Sequence, residues 1–462
     1  MTVQDVVTAT GGVLVKGDPA QRIGEISVDS REGLVDDGLF VAISGEKTDG
    51  HRYVEGAKAS GAVAVLYSRE IRPEADLAWI RVTDTTKALQ AVGKFCRDRL
   101  RIPVAAVTGS VGKTTTREMT ALALSAKYRT FKTKKNFNSQ LGVPIMLGGI
   151  GPEYEAAVLE AGMSEPGEMS RIASIIRPDL TIFTNIGVTH IENLGSRENI
   201  FREKFELAKA MAPGSPLIVN GDNDILGCLD EDCGFRVIRY GLGERCRIRG
   251  CGIHMEGSET VFTAVCGEER ETVRLRVAGE HMVMNALAAL AAAKELGVPW
   301  KEAAERLRDY GGYAGRQLVE EIGGVTVISD YYNASPDSMK AALRVMAGMP
   351  CGGRRTAVLA GMNELGPDSP VFHREVGVAA AECRVERLIT VGEPAKEIAR
   401  GAGEASKEID IRSFDTNREA AEFLLKELRR GDILLLKGSN SMRLGQIREK
   451  LVNFLESGNA GE

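Results

Sequence analysis

The chain has 462 residues, 43% of them hydrophobic and 27% charged, with a net charge of -5 at pH 7. That length exceeds one ordinary core and implies about three domains, and the composition is that of a globular protein. The weakly acidic balance excludes a general nucleic-acid or anionic-membrane binder, which draws its affinity from excess lysine and arginine, so small-molecule partners are expected.

The opening run Met1-Thr-Val-Gln-Asp-Val-Val7 lacks the basic and apolar regions of a signal peptide. No apolar run approaches the ~20 residues that span a bilayer, so a cytoplasmic location is expected. Residues 1–85 carry short strand patterns at 26–28, 39–43, 62–66 and 79–82, with a helical stretch around 53–60, which reads as a small α/β unit. A helical pattern at 86–100 opens the next unit. From residue 104 strands alternate with helices, with further strands at 156–159, 180–183 and 217–220, the signature of a parallel sheet covered by helices on both faces.

The first of those strands runs into Thr108-Gly-Ser-Val-Gly-Lys-Thr-Thr115, followed by a helix-forming segment. Such a turn cradles phosphates. Gly109 and Gly112 let Thr108, Ser110 and Val111 present backbone N–H groups, Lys113 reaches the terminal phosphates, and Thr114 and Thr115 open the helix, the Thr114 hydroxyl being placed to bind Mg2+. The pattern is shorter than the full G-x-x-x-x-G-K-[ST], because Val107 stands at its first position. ATP or GTP is the ligand it implies.

Three further residues stand near strand ends or in charged segments of this unit. Glu160 closes an apolar strand, where either a Mg2+ ligand or a surface glutamate fits; His190 follows another strand, where metal, phosphate and structural roles are all open. Lys204 lies in the charged helical run 199–207, and spacing alone favours a solvated lysine. The basic run Lys127, Arg129, Lys132, Lys134 and Lys135 suits either an anionic substrate or a solvated loop.

Residues 228–277 read as an antiparallel excursion of short β runs. Eight cysteines in a chain of this class read as reduced thiols. Cys228, Cys233, Cys246 and Cys251 form two C-x4-C pairs near His254 and Cys266, but this spacing is looser than that of zinc sites, which favours ordinary thiols over a metal cluster. A strong helix follows at 280–296, and the central unit spans 86–313. After the glycine-rich 311–315, strands at 325–328, 356–360, 387–391 and 433–436 define a third α/β unit, 314–462, where Ser329-Asp-Tyr-Tyr-Asn-Ala-Ser-Pro336 concentrates ligand-type groups at a strand end.

Taken in order, these stretches resemble the Mur ligase family nearly end to end. The resemblance rests on Asp29-Ser-Arg31, Asp49-Gly-His51, the phosphate loop, Asn136-Phe-Asn-Ser-Gln-Leu-Gly-Val-Pro144, Glu160-Ala-Gly-Met-Ser-Glu-Pro-Gly-Glu168, Thr184-Asn-Ile-Gly-Val-Thr-His190, Gly279-Glu-His-Met-Val-Met-Asn285, Tyr332-Asn-Ala-Ser-Pro-Asp-Ser-Met339 and Lys437-Gly-Ser439. Asn440, Gly445 and Ser335 depart from the pattern.

The resemblance implies a three-domain α/β fold: a small N-terminal domain binding a UDP substrate, a central P-loop parallel-sheet ATPase domain and a Rossmann-like C-terminal ligase domain. It implies an ATP- and Mg2+-dependent, ADP-forming ligase of peptidoglycan synthesis, active as a monomer, that joins D-Ala-D-Ala to UDP-MurNAc-tripeptide through an acyl phosphate. By the same resemblance Thr114 and Glu160 hold one metal ion and His190 with a carbamylated Lys204 a second. Asn285, Arg316, Asp330 and Asn333 contact ATP, and Ser30, Arg31, Asn136 and Asn138 contact the UDP-sugar. A ligase adding the third amino acid instead would carry an Asp-Asn-Pro-Arg run, and a switch GTPase an N-K-x-D; neither motif occurs.

Overall fold

Three sheets organise the chain. A computed structural model of the protein describes residues 1–31, 37–45, 48–72, 76–256 and 259–456. The first region contains α1 (Val3–Thr10), β1 (Val13–Lys16), β2 (Glu25–Ser27), β3 (Gly38–Val41), α2 (Val54–Ala59), β4 (Ala62–Tyr67) and β5 (Ala78–Arg81). Its sheet has the order β1-β5-β4-β3-β2, with β1 antiparallel to β5 and the remaining neighbours parallel.

The central region runs through α3 (Thr85–Arg99), β6 (Val104–Thr108), α4 (Lys113–Leu124), β7 (Thr130–Lys132), α5 (Gly142–Gly148), β8 (Ala156–Glu160), α6 (Glu168–Ile176), β9 (Leu180–Phe183), α7 (Ile191–Leu194), α8 (Arg197–Lys209) and β10 (Pro216–Asn220). It continues with β11 (Arg236–Gly241), β12 (Ile248–Glu256), β13 (Glu259–Cys266), β14 (Glu269–Leu275), α9 (Glu280–Glu295) and α10 (Trp300–Leu307). The nine strands lie in the order β14-β13-β12-β11-β10-β9-β6-β8-β7. All five residues of β6 and of β8 are buried, as continuous apolar runs in a parallel sheet must be. The chain crosses from β8 over β6 to β9, so ligand-binding groups are expected at the carboxyl end of β6, where its neighbours' loops diverge.

Two sequence expectations need correction. The segment 228–277 is not wholly antiparallel: β11 pairs in parallel with β10, and β12 with β11, before the meander β12-β13-β14 turns antiparallel. The edge strands β1, β7 and β15 were also not anticipated, because short, partly exposed strands carry little hydrophobic signal.

The third region holds β15 (Leu318–Ile322), β16 (Val325–Asp330), α11 (Pro336–Gly348), β17 (Arg355–Ala360), α12 (Ser369–Glu382), β18 (Arg387–Val391), α13 (Lys396–Ala405), β19 (Asp410–Phe414), α14 (Asn417–Glu427), β20 (Ile433–Lys437) and α15 (Gly445–Glu456). Its sheet order is β15-β16-β20-β17-β18-β19, all parallel except the β15 edge. The first and central regions share one apolar core, running from Val3 and Ile80 to Val104 and Ile172, whereas the third buries its own. Among the described residues no helix is long and apolar enough to cross a membrane.

Candidate active site

The chain leaves β6 through Gly109, whose φ of 144° only glycine adopts without strain and whose added Cβ would lie 1.9 Å from Thr184 Oγ1. The loop is held from beneath by the next strand end. Ser110 N donates to Asn185 O at 2.9 Å, Val111 N to Asn185 Oδ1 at 2.8 Å, and Thr184 Oγ1 to Val111 O at 2.5 Å. Gly112, at φ 87°, starts α4, which directs its N-terminal dipole into a cleft of 450 Å³. Asn285 on α9 supports the same turn, its Oδ1 accepting from Thr116 Oγ1 at 3.0 Å.

Lys113 folds back onto the loop, donating to Gly109 O at 2.9 Å and Ser110 O at 3.2 Å. Burial pushes its ammonium pKa down to about 8, against the opposing pull of Glu160 and with Arg316 adding to the lowering. Glu160, 1% exposed, accepts from Thr114 Oγ1 at 3.0 Å, Arg117 Nη1 at 3.1 Å and Asn138 Nδ2 at 2.7 Å. His190, in the left-handed region at φ 67°, lies in the cleft wall, and its Nδ1 bonds to Glu364 of the third region. That bond is the chief reason the Glu364 carboxyl lies below its usual range.

Lys204 overturns the solvated reading that spacing favoured. It is 0% exposed, its Nζ has no hydrogen-bond partner, and its pKa lies well below the usual value because of burial first and the Lys113 charge second. The signal was present: Ile200, Lys204 and Leu207 recur at i, i+4 and i+7 and form the inward stripe of α8. A buried, unpartnered amine whose charged form is disfavoured is the kind of group that reacts with CO2, and it feels the charge of Lys113 in the phosphate loop, so the donor set fits a carbamate and, with Thr114, Glu160 and His190, magnesium.

The third region closes the cleft. Arg316 stacks over Tyr332 with 4.3 Å between its Cζ and the ring centroid, and Asp330 Oδ2 accepts from the buried Lys437 at 2.6 Å. Lys437 also donates to Asn333 O at 3.3 Å. The cleft therefore brings together the phosphate loop, Asn138, Glu160, His190, Asn285, Arg316, Asp330 and Asn333. Ser30, Arg31, Asn136 and Lys204 are not part of its lining, and of the phosphate loop residues 110–115 line it while Thr108 and Gly109 do not. Arg31 makes a two-pronged contact with Asp29, holding that carboxyl at about 2, with Lys135 close enough to assist.

Comparison with known proteins matches residues 22–96 to the Mur ligase family catalytic domain, 107–293 to the Mur ligase middle domain and 316–440 to the Mur ligase glutamate ligase domain. The UDP-N-acetylmuramoyl-tripeptide--D-alanyl-D-alanine ligase of Bacillus subtilis is 33% identical over 98% of both chains. The chain belongs to the Mur ligase family. Among further Mur ligases, the same-named protein of Escherichia coli is 32% identical over 91% of this chain and 92% of its own. The crystal structure of MurF from Acinetobacter baumannii superposes with a TM-score of 0.88 at 30% identity, covering 98% of each chain. MurF from Thermotoga maritima, solved in complex with ADP, gives 0.82 at 26% identity over 94% of this chain and 98% of its own.

Several residues in or beside the cleft of this Mur ligase were given no role by the sequence reading. Glu364 lies in the loop after β17 and Lys437 is the last residue of β20, and position at a strand's carboxyl end was the available signal. Asn185 holds the phosphate loop from behind and Arg117 grips Glu160, contacts that spacing cannot reveal. The cysteine pairs lie far from uniform: Cys228 is exposed, Cys246 buried, Cys233 and Cys251 intermediate, and among the described residues no group of three or more candidate ligands is assembled. His254 is occupied by Gly252 O and Glu256 on the surface.

Proposed function

We propose that this chain is the ATP-dependent, ADP-forming ligase that joins D-alanyl-D-alanine to UDP-N-acetylmuramoyl-tripeptide, making the pentapeptide precursor of peptidoglycan. The observation that carries the reading is the convergence of the phosphate loop, Glu160, His190 and the third-region residues Arg316, Asp330 and Asn333 on one cleft. The tripeptide carboxylate displaces ADP from the γ-phosphorus to give an acyl phosphate. The amine of the dipeptide then attacks the acyl carbon, loses a proton, and expels inorganic phosphate as the amide forms.

The obstacle is repulsion between two anions, and the chain's own answer is a cluster of donors around the transferring group. Thr108, Gly109, Ser110, Val111, Gly112 and Thr115 hold the phosphates, with Lys113 on the terminal ones. Thr114 and Glu160 would hold one Mg2+, and His190 with carbamylated Lys204 a second; bound there, the ions would supply positive charge that offsets the repulsion of the two anions. Asn285 contacts adenine, and Arg316, Asp330 and Asn333 reach the nucleotide from the third region, whose closure keeps water from the acyl phosphate. Ser30, Arg31, Asn136 and Asn138 bind the UDP-sugar, and the domains follow residues 1–85, 86–313 and 314–462. The enzyme works as a monomer in the cytoplasm, where ATP and nucleotide-linked precursors are supplied.

ADP release from ATP should require both UDP-MurNAc-tripeptide and D-Ala-D-Ala; release that ignores either co-substrate overturns the reading. Lys204→Ala should lose activity and regain part of it with short carboxylic acids, while full activity without additive would remove the carbamate.

A further inference from the structure

Arg117 is a fully buried cation whose guanidinium connects parts of the site that come from distant segments. It is 0% exposed and projects from the first turns of α4, on the face shared with Lys113 and Thr114 by the i, i+3 and i, i+4 spacing. Nη1 donates to Glu160 Oε2 at 3.1 Å and to the backbone carbonyl of Lys135 at 3.2 Å, and Nη2 donates to Glu118 Oε1 at 2.5 Å. Its Nε is buried without a partner. The Tyr313 ring, in the glycine-rich link to the third region, lies 5.7 Å from its Cζ.

Each of these contacts has a consequence. The Glu160 oxygen gripped by Arg117 is the one that also accepts from Thr114, so the guanidinium fixes where that carboxylate points. Lys135 is a non-glycine residue at φ 49°, immediately before Asn136-Phe-Asn138, and its carbonyl is tied down by the same nitrogen. Asn138 in turn donates to the other Glu160 oxygen. Arg117 therefore closes a circuit from the 135–138 loop to the carboxylate beside the phosphate loop. The planar fork holds two of these acceptors on Nη1 and Glu118 on Nη2 in fixed directions, a spread that the single nitrogen of an ammonium does not reproduce.

We propose that Arg117 is a positioning residue that couples occupancy of the UDP-sugar loop to metal–nucleotide binding, by holding the Lys135 carbonyl and the Glu160 carboxylate on one guanidinium. The proposal rests on the ligase reading for the identity of both ligands. Substrate seated on 135–138 locks the loop, the lock passes through Arg117 to Glu160, and the carboxylate is presented to the metal already oriented. By linkage the metal–nucleotide complex strengthens UDP-substrate binding by the same factor.

The test is calorimetric titration of the intact protein with ADP across a Mg2+ series, with and without UDP-MurNAc-tripeptide. Wild type should show Mg2+–ADP affinity raised about fivefold or more by the UDP substrate, the lower range of measured couplings. Arg117→Met should bind Mg2+-free ADP as wild type does, need more Mg2+, and show a ratio near one. Arg117→Lys keeps the buried cation and secures the measurement if the methionine variant does not fold; it should recover the Mg2+ requirement but not the coupling. Equal coupling in wild type and either folded variant overturns the proposal, as does absence of coupling in wild type. Failure of wild type to bind the UDP substrate at all would instead overturn the ligase reading.

Discussion

The two halves of the cleft are built on different principles. The central half is pinned by contacts within its own sheet: Thr184 and Asn185 hold the phosphate loop, Asn285 braces the helix that follows, and Glu160 is 1% exposed with three donors on it. The third-region half arrives across the Gly-rich link 311–315 and touches the central half at few points, chiefly Glu364 with His190, Gln317 with His281, and the Glu192 N–H on Glu364 O at 3.3 Å. One half is a preformed cradle for phosphates. The other is a movable set of contacts whose withdrawal would admit and release ligands, as closure-dependent catalysis requires.

Breaking the cradle should have the largest effect. In Gly109→Ala the new Cβ meets Thr184 Oγ1 at 1.9 Å and the residue keeps a φ that alanine resists, so the loop must leave its place. Overpacking of this kind costs about 1–3 kcal/mol of stability, and calorimetry should show ADP binding lost. Removing one contact of the movable half is gentler on the fold but still severe for chemistry. Arg316→Ala should leave the melting temperature near wild type while lowering kcat by roughly 10²–10³, the cost of deleting one donor to developing charge; an unchanged kcat would place Arg316 outside the reaction.

The same contrast explains what the sequence could and could not disclose. The buried strands β6, β8, β9 and β10 announce themselves through apolar runs, and the glycines of the phosphate loop through their spacing, so the frame of the central half was legible. Lys204 was misjudged from spacing because lysine in a charged helical run normally faces water; the inward stripe with Ile200 and Leu207 outweighed composition. Glu364 was not singled out, because its importance lies in a contact with His190 174 residues away in the chain. Contacts between regions joined by a flexible link leave no local periodicity to read.

The Glu364 contact offers a finer probe of the boundary between the halves. Its side chain is 43% exposed and both partners occupy left-handed backbone positions, so the bond is a latch between two strained loops and not a buried structural pair. Glu364→Gln should weaken the latch by about 0.2–1 kcal/mol, the range of exposed ion pairs. That is a few-fold shift towards the open arrangement, visible as faster proteolysis of the 311–315 link and a few-fold rise in the KM for ATP. Proteolysis unchanged from wild type would show that the latch does not govern opening.

A last effect, read as a pH dependence, concerns how the movable half holds that loop. His373, 1% exposed on α12, accepts the Met362 N–H on Nε2 at 2.9 Å and bonds to Ser369 O through Nδ1 at 2.7 Å, so it supports residues 361–365 as the neutral imidazole. Burial lowers its pKa below 6.5. Because the folded value is the depressed one, the unfolded chain binds more protons between that value and 6.5, and stability falls as pH drops through this window. One proton limits the slope to about 1.4 kcal/mol per pH unit. His281 is depressed by burial as well and adds to the acid sensitivity, so wild type alone cannot assign the slope. The difference between wild type and His373→Gln can: glutamine keeps an acceptor for Met362 but does not titrate, so denaturant midpoints at pH 7.5 and pH 5.5 should lie closer together in the variant. Equal acid sensitivity in the two proteins would mean that the 361–365 loop does not depend on the neutral ring.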